Sequence, residues 1–287
     1  MLFACKGLPA KQLYALHVDF ALVVAVRAAL ALPLFWGFAL YREGLATILK
    51  TPLRAALTAA SAGIVCYYLG AMLDFYALTM IDASIERVLL FSYPAMIVVF
   101  GSLRSRRLPA RRVVAVTLLT YIGIFCAVGG LDRQAFRANL LGAALVLASA
   151  LSYALYFMIG ERFTRQIGAS RFTLFAMTAA ALAAMLHVTV RNDLPAIAQL
   201  GPTAWAWLLL LAVLCMFVPA LLQAEGVRRI GAQRGSVVST VGPPTTVLLA
   251  WFFVGERLSA WQLTGVALIV CSVVLLEVTQ KAPVASV

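Results

Sequence analysis

The chain has 287 residues, 63% of them apolar and only 12% charged, about half the charged share of a soluble protein. That balance argues against a water-exposed globular domain and points to a protein built of membrane-crossing helices. The formal charge of +12 raises nucleic acid as a partner, but the basic residues lie in short stretches between apolar runs and form no stripe, which argues against it.

Residues 1–16 read MLFACKGLPAKQLYAL, an apolar run interrupted by Lys6 and Lys11 and too short to cross a bilayer. No small-residue cleavage site follows, so they do not read as a signal peptide. Spans are then expected at 20–40, 55–78, 83–103, 113–131, 139–160, 172–190, 203–224, 235–254 and 261–279, each close to the roughly 20 residues that cross a 30 Å hydrocarbon layer. The connections 41–54, 104–112, 161–171 and 225–234, with the tail, hold fifteen Lys and Arg; those near 79–87, 131–138, 191–202 and 255–260 hold five. Excess basic charge marks the cytoplasmic side, so the first set and the C-terminus are expected inside. Cys5, Cys66, Cys126, Cys215 and Cys271 stand singly, with no Cys-x-x-Cys or Cys/His spacing, and read as small buried apolar residues rather than metal ligands. No cofactor is expected.

Residues 230–258 read IGAQRGSVVSTVGPPTTVLLAWFFVGERL: a basic approach ending at Arg234, an uncharged run, and a turn at Gly255-Glu256-Arg257. Pro243 and Pro244 remove two backbone donors in mid-helix, leaving the carbonyls of Ser239 and Thr240 without their usual partners. In lipid such carbonyls need protein or a wet cavity around them. The pattern occurs again about 149 residues earlier, at 81–108. Ile81 falls on Ile230, Ala83 on Ala232, Val88 on Val237 and Pro94 on Pro243; upstream, Cys66, Ala71 and Leu73 match Cys215, Ala220 and Leu222. The chain therefore reads as a duplicated unit, with repeats at 1–131 and 139–281.

The Gly-Ala approach, the Pro-broken helix, the turn Gly255-Glu256-Arg257-Leu258 and the apolar helix after it resemble the second repeat of the EamA family, in the drug/metabolite transporter superfamily. The likeness extends over nearly the whole chain. It implies an all-α integral membrane fold of ten helices in two inverted five-helix repeats, and it says little about substrate. The second repeat begins near Asn139, and the same offset puts the first helix roughly a dozen residues before Met1. The first helix is accordingly expected as its outer half only. Inverted repeats with interrupted helices at their interface hold substrate near the bilayer midplane in secondary transporters.

Charges inside spans are costly and so are functional candidates. Arg27, Asp74, Glu86 and Arg87 are expected at one depth, roughly 5–10 Å below the outer surface at 1.5 Å per residue, close enough to exchange ion pairs. They read either as a group handling protons or substrate charge, or as a brace for the outer gate. The matching positions of the second repeat hold Met177, Gln223, Gly235 and Ser236. Substrate-cavity candidates are Tyr67, Tyr93, Pro94, Tyr153, Gln223, Ser239, Thr240, Pro243 and Thr245, with Arg27; for each, plain core packing or kinking is the alternative. Trp205, Trp207 and Trp261 lie near span ends as interfacial anchors, and Glu161 and Glu225 lie beside arginines as surface pairs.

Three classes of function compete. An enzyme needs a clustered nucleophile, metal ligands or paired carboxylates at a surface, and no such constellation is present. A structural or lipid-handling membrane protein fits less well than a carrier, given the fused repeats and the polar interior. No G-x-x-x-x-G-K-[ST] motif is present, so a gradient would supply the energy. The expectation is an inner-membrane secondary transporter of a small polar metabolite such as an amino acid, with export implied by the resemblance, proton coupling possible, lipid around it and a homodimer compatible with it.

Overall fold

The computed structural model describes residues 6–104, 111–128, 130, 132–238, 252–253, 255 and 258–280. Among them the regular structure is helical, with no strand. A chain this apolar favours that outcome, because a helix pairs its interior N–H and C=O groups within its own segment. The elements are α1 (Gly7–Ala15), α2 (Phe20–Glu43), α3 (Leu53–Ala77), α4 (Ala83–Leu90), α5 (Tyr93–Arg104), α6 (Arg111–Val128), α7 (Arg133–Ile167), α8 (Ala169–Val190), α9 (202–238) and α10 (Ala260–Gln280). Among the described residues six stretches are long and apolar enough to cross a membrane: α2, α3, 83–101 across α4 and α5, α7, α8 and 202–229 of α9.

Local chemistry sets the ends. The Asp19 carboxylate accepts from the Ala21 N–H at 2.9 Å and starts α2. Asp132 does the same for α7, accepting from Gln134 and Ala135 at 3.0 and 3.1 Å. Gly168, at φ 85°, is the single residue joining α7 to α8; the absence of a Cβ makes that reversal cheap. Two expected connections are helical instead. Residues 133–138 are the first turns of α7, and 225–234 lie inside α9. Glu225 pairs along its own helix with Arg228 at 2.5 Å and Arg229 at 2.6 Å, so charge there does not require the helix to stop. Most of the span expected at 235–254 lies outside the described residues.

Among the described residues, departures from regular α-helix fall within three of the spanning stretches. The path of α4 into α5 breaks at Phe91-Ser92, and Pro94 follows at the second position of α5, where its ring nitrogen has no hydrogen for the Leu90 carbonyl. In α3 residues Ile64–Gly70 are π-helical, and in α9 so are Val213–Phe217. These two segments begin 149 residues apart, the offset of the sequence repeat.

The Glu43–Arg171 pair, 2.6 Å apart, brings the connections after α2 and α7 to one end of the bundle. Asp19 and Arg191, 3.6 Å apart, mark the other. Between them Ala59, Tyr67, Phe172 and Met177 share one apolar cluster, Leu13, Leu22, Phe75 and Leu208 a second, and Ile85, Leu89, Tyr93 and Phe157 a third. Leu57, Leu182, Leu186 and Leu222 face outward, 60 to 65% exposed, as lipid-facing side chains do. Cys271 is likewise exposed, unlike buried Cys66, Cys126 and Cys215; an apolar solvent outside makes exposure cheap for a thiol.

Small residues let backbones touch. A Cβ on Gly63 of α3 would lie 2.0 Å from the Ala176 carbonyl oxygen of α8. Gly63→Ala is expected to lower stability by about 1–3 kcal/mol through overpacking. Gly37→Ala, where nothing lies within 4 Å, is expected to be neutral or mildly stabilising. Thermal unfolding of the two purified variants in detergent checks the contrast; equal behaviour would contradict the α3–α8 contact.

Candidate functional site

Lys6 stands one residue ahead of α1 and is buried. Its Nζ donates to Asp74 Oδ2 of α3 and lies 3.4 Å from Glu86 Oε1 of α4, an ion pair without hydrogen-bond alignment. Both carboxylates are 1% exposed. Two further bonds hold α1 there. The Tyr14 hydroxyl donates to the Phe75 carbonyl at 2.8 Å, and Lys11 Nζ donates to the Ile81 carbonyl at 2.8 Å. Phe75 lies in the last turn of α3, where carbonyls lose their helical partners, so the tyrosine fills a vacancy the helix end creates.

Arg27, on α2, lies with its guanidinium 4.2 Å from the centre of the Phe75 ring, at the level of Asp74. Arg87 lies 5.5 Å from the Phe91 ring. Both side chains are buried, and the Nε of each has no hydrogen-bond partner. Arg27 and Asp74 therefore come together around Phe75, and Glu86 meets Asp74 at Lys6, but the expected ion pairing is different. Among the described residues Arg27 makes no ion pair, and Lys6 takes the place expected for it. The signal for it is a charge inside the apolar stretch MLFACKGLP, a stretch too short to read as a span of its own.

Three candidate tyrosines meet beside the charges. The Tyr153 ring of α7 is centred 6.0 Å from Lys6 Nζ, 6.4 Å from Tyr67 and 6.2 Å from Tyr93. Tyr67 meets Tyr156 edge-on at 5.0 Å, and Tyr93 stacks on Phe157 at 5.2 Å. Pro94 is buried next to them. Gln223 of α9 is joined to this group through Tyr156. Its Nε2 is buried without a partner, and with Tyr156, Phe157, Thr164 and Phe172 it lines a cavity of about 10 Å³, close to the volume of one water. Ser239, Thr240, Pro243 and Thr245 lie outside the described residues.

Chemically, the centre is one ammonium shared by two carboxylates, with aromatic faces alongside and water excluded. Low dielectric strengthens each attraction and makes the loss of any one member costly. The arrangement suits a group that exchanges a partner: a proton or a solute charge reaching either carboxylate would loosen its hold on Lys6.

Comparisons with known proteins agree with this architecture. Residues 140–278 match the model of the EamA-like transporter family. A Bacillus subtilis protein described as the uncharacterized transporter YcbK is 33% identical over 268 residues, covering 92% of this chain and 85% of its own length. The uncharacterized transporter sll1319 of Synechocystis is 26% identical over 225 residues, covering 75% of this chain and 65% of its own. An Archaeoglobus fulgidus protein described as an uncharacterized transporter is 23% identical over 194 residues, covering 68% and 67% of the two chains. A solved crystal structure superposes with a TM-score of 0.66 over 97% of this chain and 94% of that one, at 18% identity, and so shares the fold.

Lys6→Met would leave two buried carboxylates without their shared cation and is expected to cost about 3–5 kcal/mol. Adding Asp74→Asn should restore part of that, since one carboxylate then faces an amide. Unfolding temperatures of the two single variants and the double variant form a closed cycle; strictly additive losses would mean that Lys6 and Asp74 do not interact.

Proposed function

The chain belongs to the EamA-like transporter family, and from that premise we propose that it is a secondary transporter moving a small polar metabolite by alternating access, with Asp74 and Glu86 carrying the coupling proton. The observation that carries this reading is the buried Lys6–Asp74–Glu86 set, placed where α4 opens the interrupted α4–α5 path and beside α3 with its π segment. Ionisable groups in such positions are expensive in lipid and mark ion or substrate pathways. Tyr67, Tyr93, Tyr153, Pro94 and Gln223 are assigned to the solute path, together with Ser239, Thr240, Pro243 and Thr245 near the Gly-Pro-Pro sequence. An amino acid or a related compound, moved outward across the inner membrane, is the solute this reading favours. Two inverted five-helix repeats are supported by the matched π segments and by the unequal charge of the equivalent connections, five arginines at 104–112 against one Glu and one Arg at 255–260.

A second reading has its own observation. Lys11 and Tyr14 bind α1 to α3 and to the turn before α4 just as Lys6 does, so the ion set could be one more strut of a brace at that end.

Reconstituted vesicles separate the two. Solute exchange and flux driven by an imposed pH gradient are measured on one preparation, with labelled amino acids first chosen by a growth-sensitivity screen of overexpressing cells. Glu86→Gln or Asp74→Asn is expected to abolish the response to the gradient while exchange persists. If both variants keep full gradient-driven flux, the proton-carrying role is wrong and the brace remains.

Sidedness follows from the arginines at 104–112, which set that connection in the cytoplasm and 255–260 outside. Single cysteines placed in each, in an otherwise cysteine-free chain, are expected to react with an impermeant reagent in intact cells only at 255–260. The reverse labelling would invert the orientation.

A further inference from the structure

We propose that the end of the bundle opposite the ion set carries a binding site for a phosphate-bearing anion. The starting point is a cavity of about 380 Å³ lined by Pro52, Arg54, Arg162, Phe163, Gln166 and Arg171, among others. That volume lies in the range of small-molecule sites. It opens at the start of α3, roughly 30 Å along that helix from Asp74, so it shares nothing with the transport reading.

The charge balance there is incomplete. Arg171 is matched by Glu43 at 2.6 Å, and its Nη1 lies 3.5 Å from the Thr51 hydroxyl. Glu161 is engaged by Arg165 at 3.5 Å. Among the described residues Arg54 and Arg162 have no carboxylate within ion-pair distance. A topology signal explains why arginines lie at this end, but not why three of them, from α3, α7 and α8, converge on one cavity against their mutual repulsion.

The backbone adds to the same sign. Both α3 and α8 begin at this cavity, and neither first turn has a side-chain cap, so orphan N–H groups and the positive ends of two helices add to the guanidinium charge. Arginine forks match the paired oxygens of a phosphate, which lysine point charges would do less selectively. Phe163 and Ile167 supply an apolar wall suited to the glycerol and first carbons of a phospholipid. The shared chemistry is the phosphate; its source is a lipid headgroup or a soluble phosphate ester.

The test uses the full-length protein in detergent and follows thermal unfolding against added phosphatidylglycerol, a phosphate-free diacylglycerol, or soluble glycerol phosphate. Phosphatidylglycerol is expected to raise the unfolding temperature by several degrees, and diacylglycerol is not. R54Q/R162Q should weaken the response roughly tenfold or more in concentration, from the loss of two charged contacts. R165Q removes one arginine from the helix that carries Arg162, away from the cavity, and should respond as wild type. An equal shift with glycerol phosphate assigns the site to soluble esters; a shift with the lipid alone assigns it to the headgroup. The proposal is overturned if neither phosphate compound shifts unfolding, if diacylglycerol acts as well as the lipid, if R54Q/R162Q responds like wild type, or if R165Q loses the response equally. Should the double variant not fold, R54Q at an exposed position carries the same comparison.

Discussion

Lys6, Asp74 and Glu86 reach one point from the approach to α1, from α3 and from α4, and none of the three can be buried there alone. Removing water from a single charge costs several kcal/mol, which only a well-placed opposite charge repays. The three segments are thereby bound to arrive together. For α1 this is decisive, because a helix of 9 residues is marginal by itself. Lys11 and Tyr14, with Lys6 just before the helix, reach outward to α3, α4 and the turn between them, so its order is borrowed from its neighbours.

How much of this could be read in advance depended on whether the signal was local. Asp74 and Glu86 announced themselves as carboxylates inside apolar runs, and Pro94 announced the break before α5, because a missing N–H acts within one turn. Lys6 did not, because its significance lies in partners 68 and 80 positions away and its own segment is short. The continuation of α9 through Glu225 was hidden for the opposite reason. Charge was read as a loop, although charges three and four apart neutralise one another on a helix. The π segments are marked only faintly: Gly70 closes the first, and Pro219, two residues past the second, has no N–H for the Cys215 carbonyl within it. A glycine or a proline in an apolar run fits several outcomes, so neither announces a widened turn in advance.

A backbone feature that recurs along this chain is not accompanied by a recurring charge. Widened turns recur at Ile64–Gly70 and Val213–Phe217. Counted at 149, however, Arg27 falls on Ala176, beside Met177 and buried with it in an apolar cluster, and Asp74 falls on Gln223, whose amide nitrogen is unpartnered. Among the described residues the ionic centre rests on Lys6, Asp74 and Glu86, while the widened turns recur without it.

The 35 residues of α7 also act as a ruler. From Arg137 to Glu161 every residue between is uncharged, and the axis rises about 36 Å over that interval. A hydrocarbon layer is about 30 Å thick, so the uncharged interval exceeds it by about 6 Å, an excess taken up by lean of the helix or by the headgroup layers. Because only Gly168 separates α7 from α8, a thinner or thicker membrane would change the pitch of that whole hairpin at once, and bilayer thickness becomes a variable to which this protein is mechanically exposed.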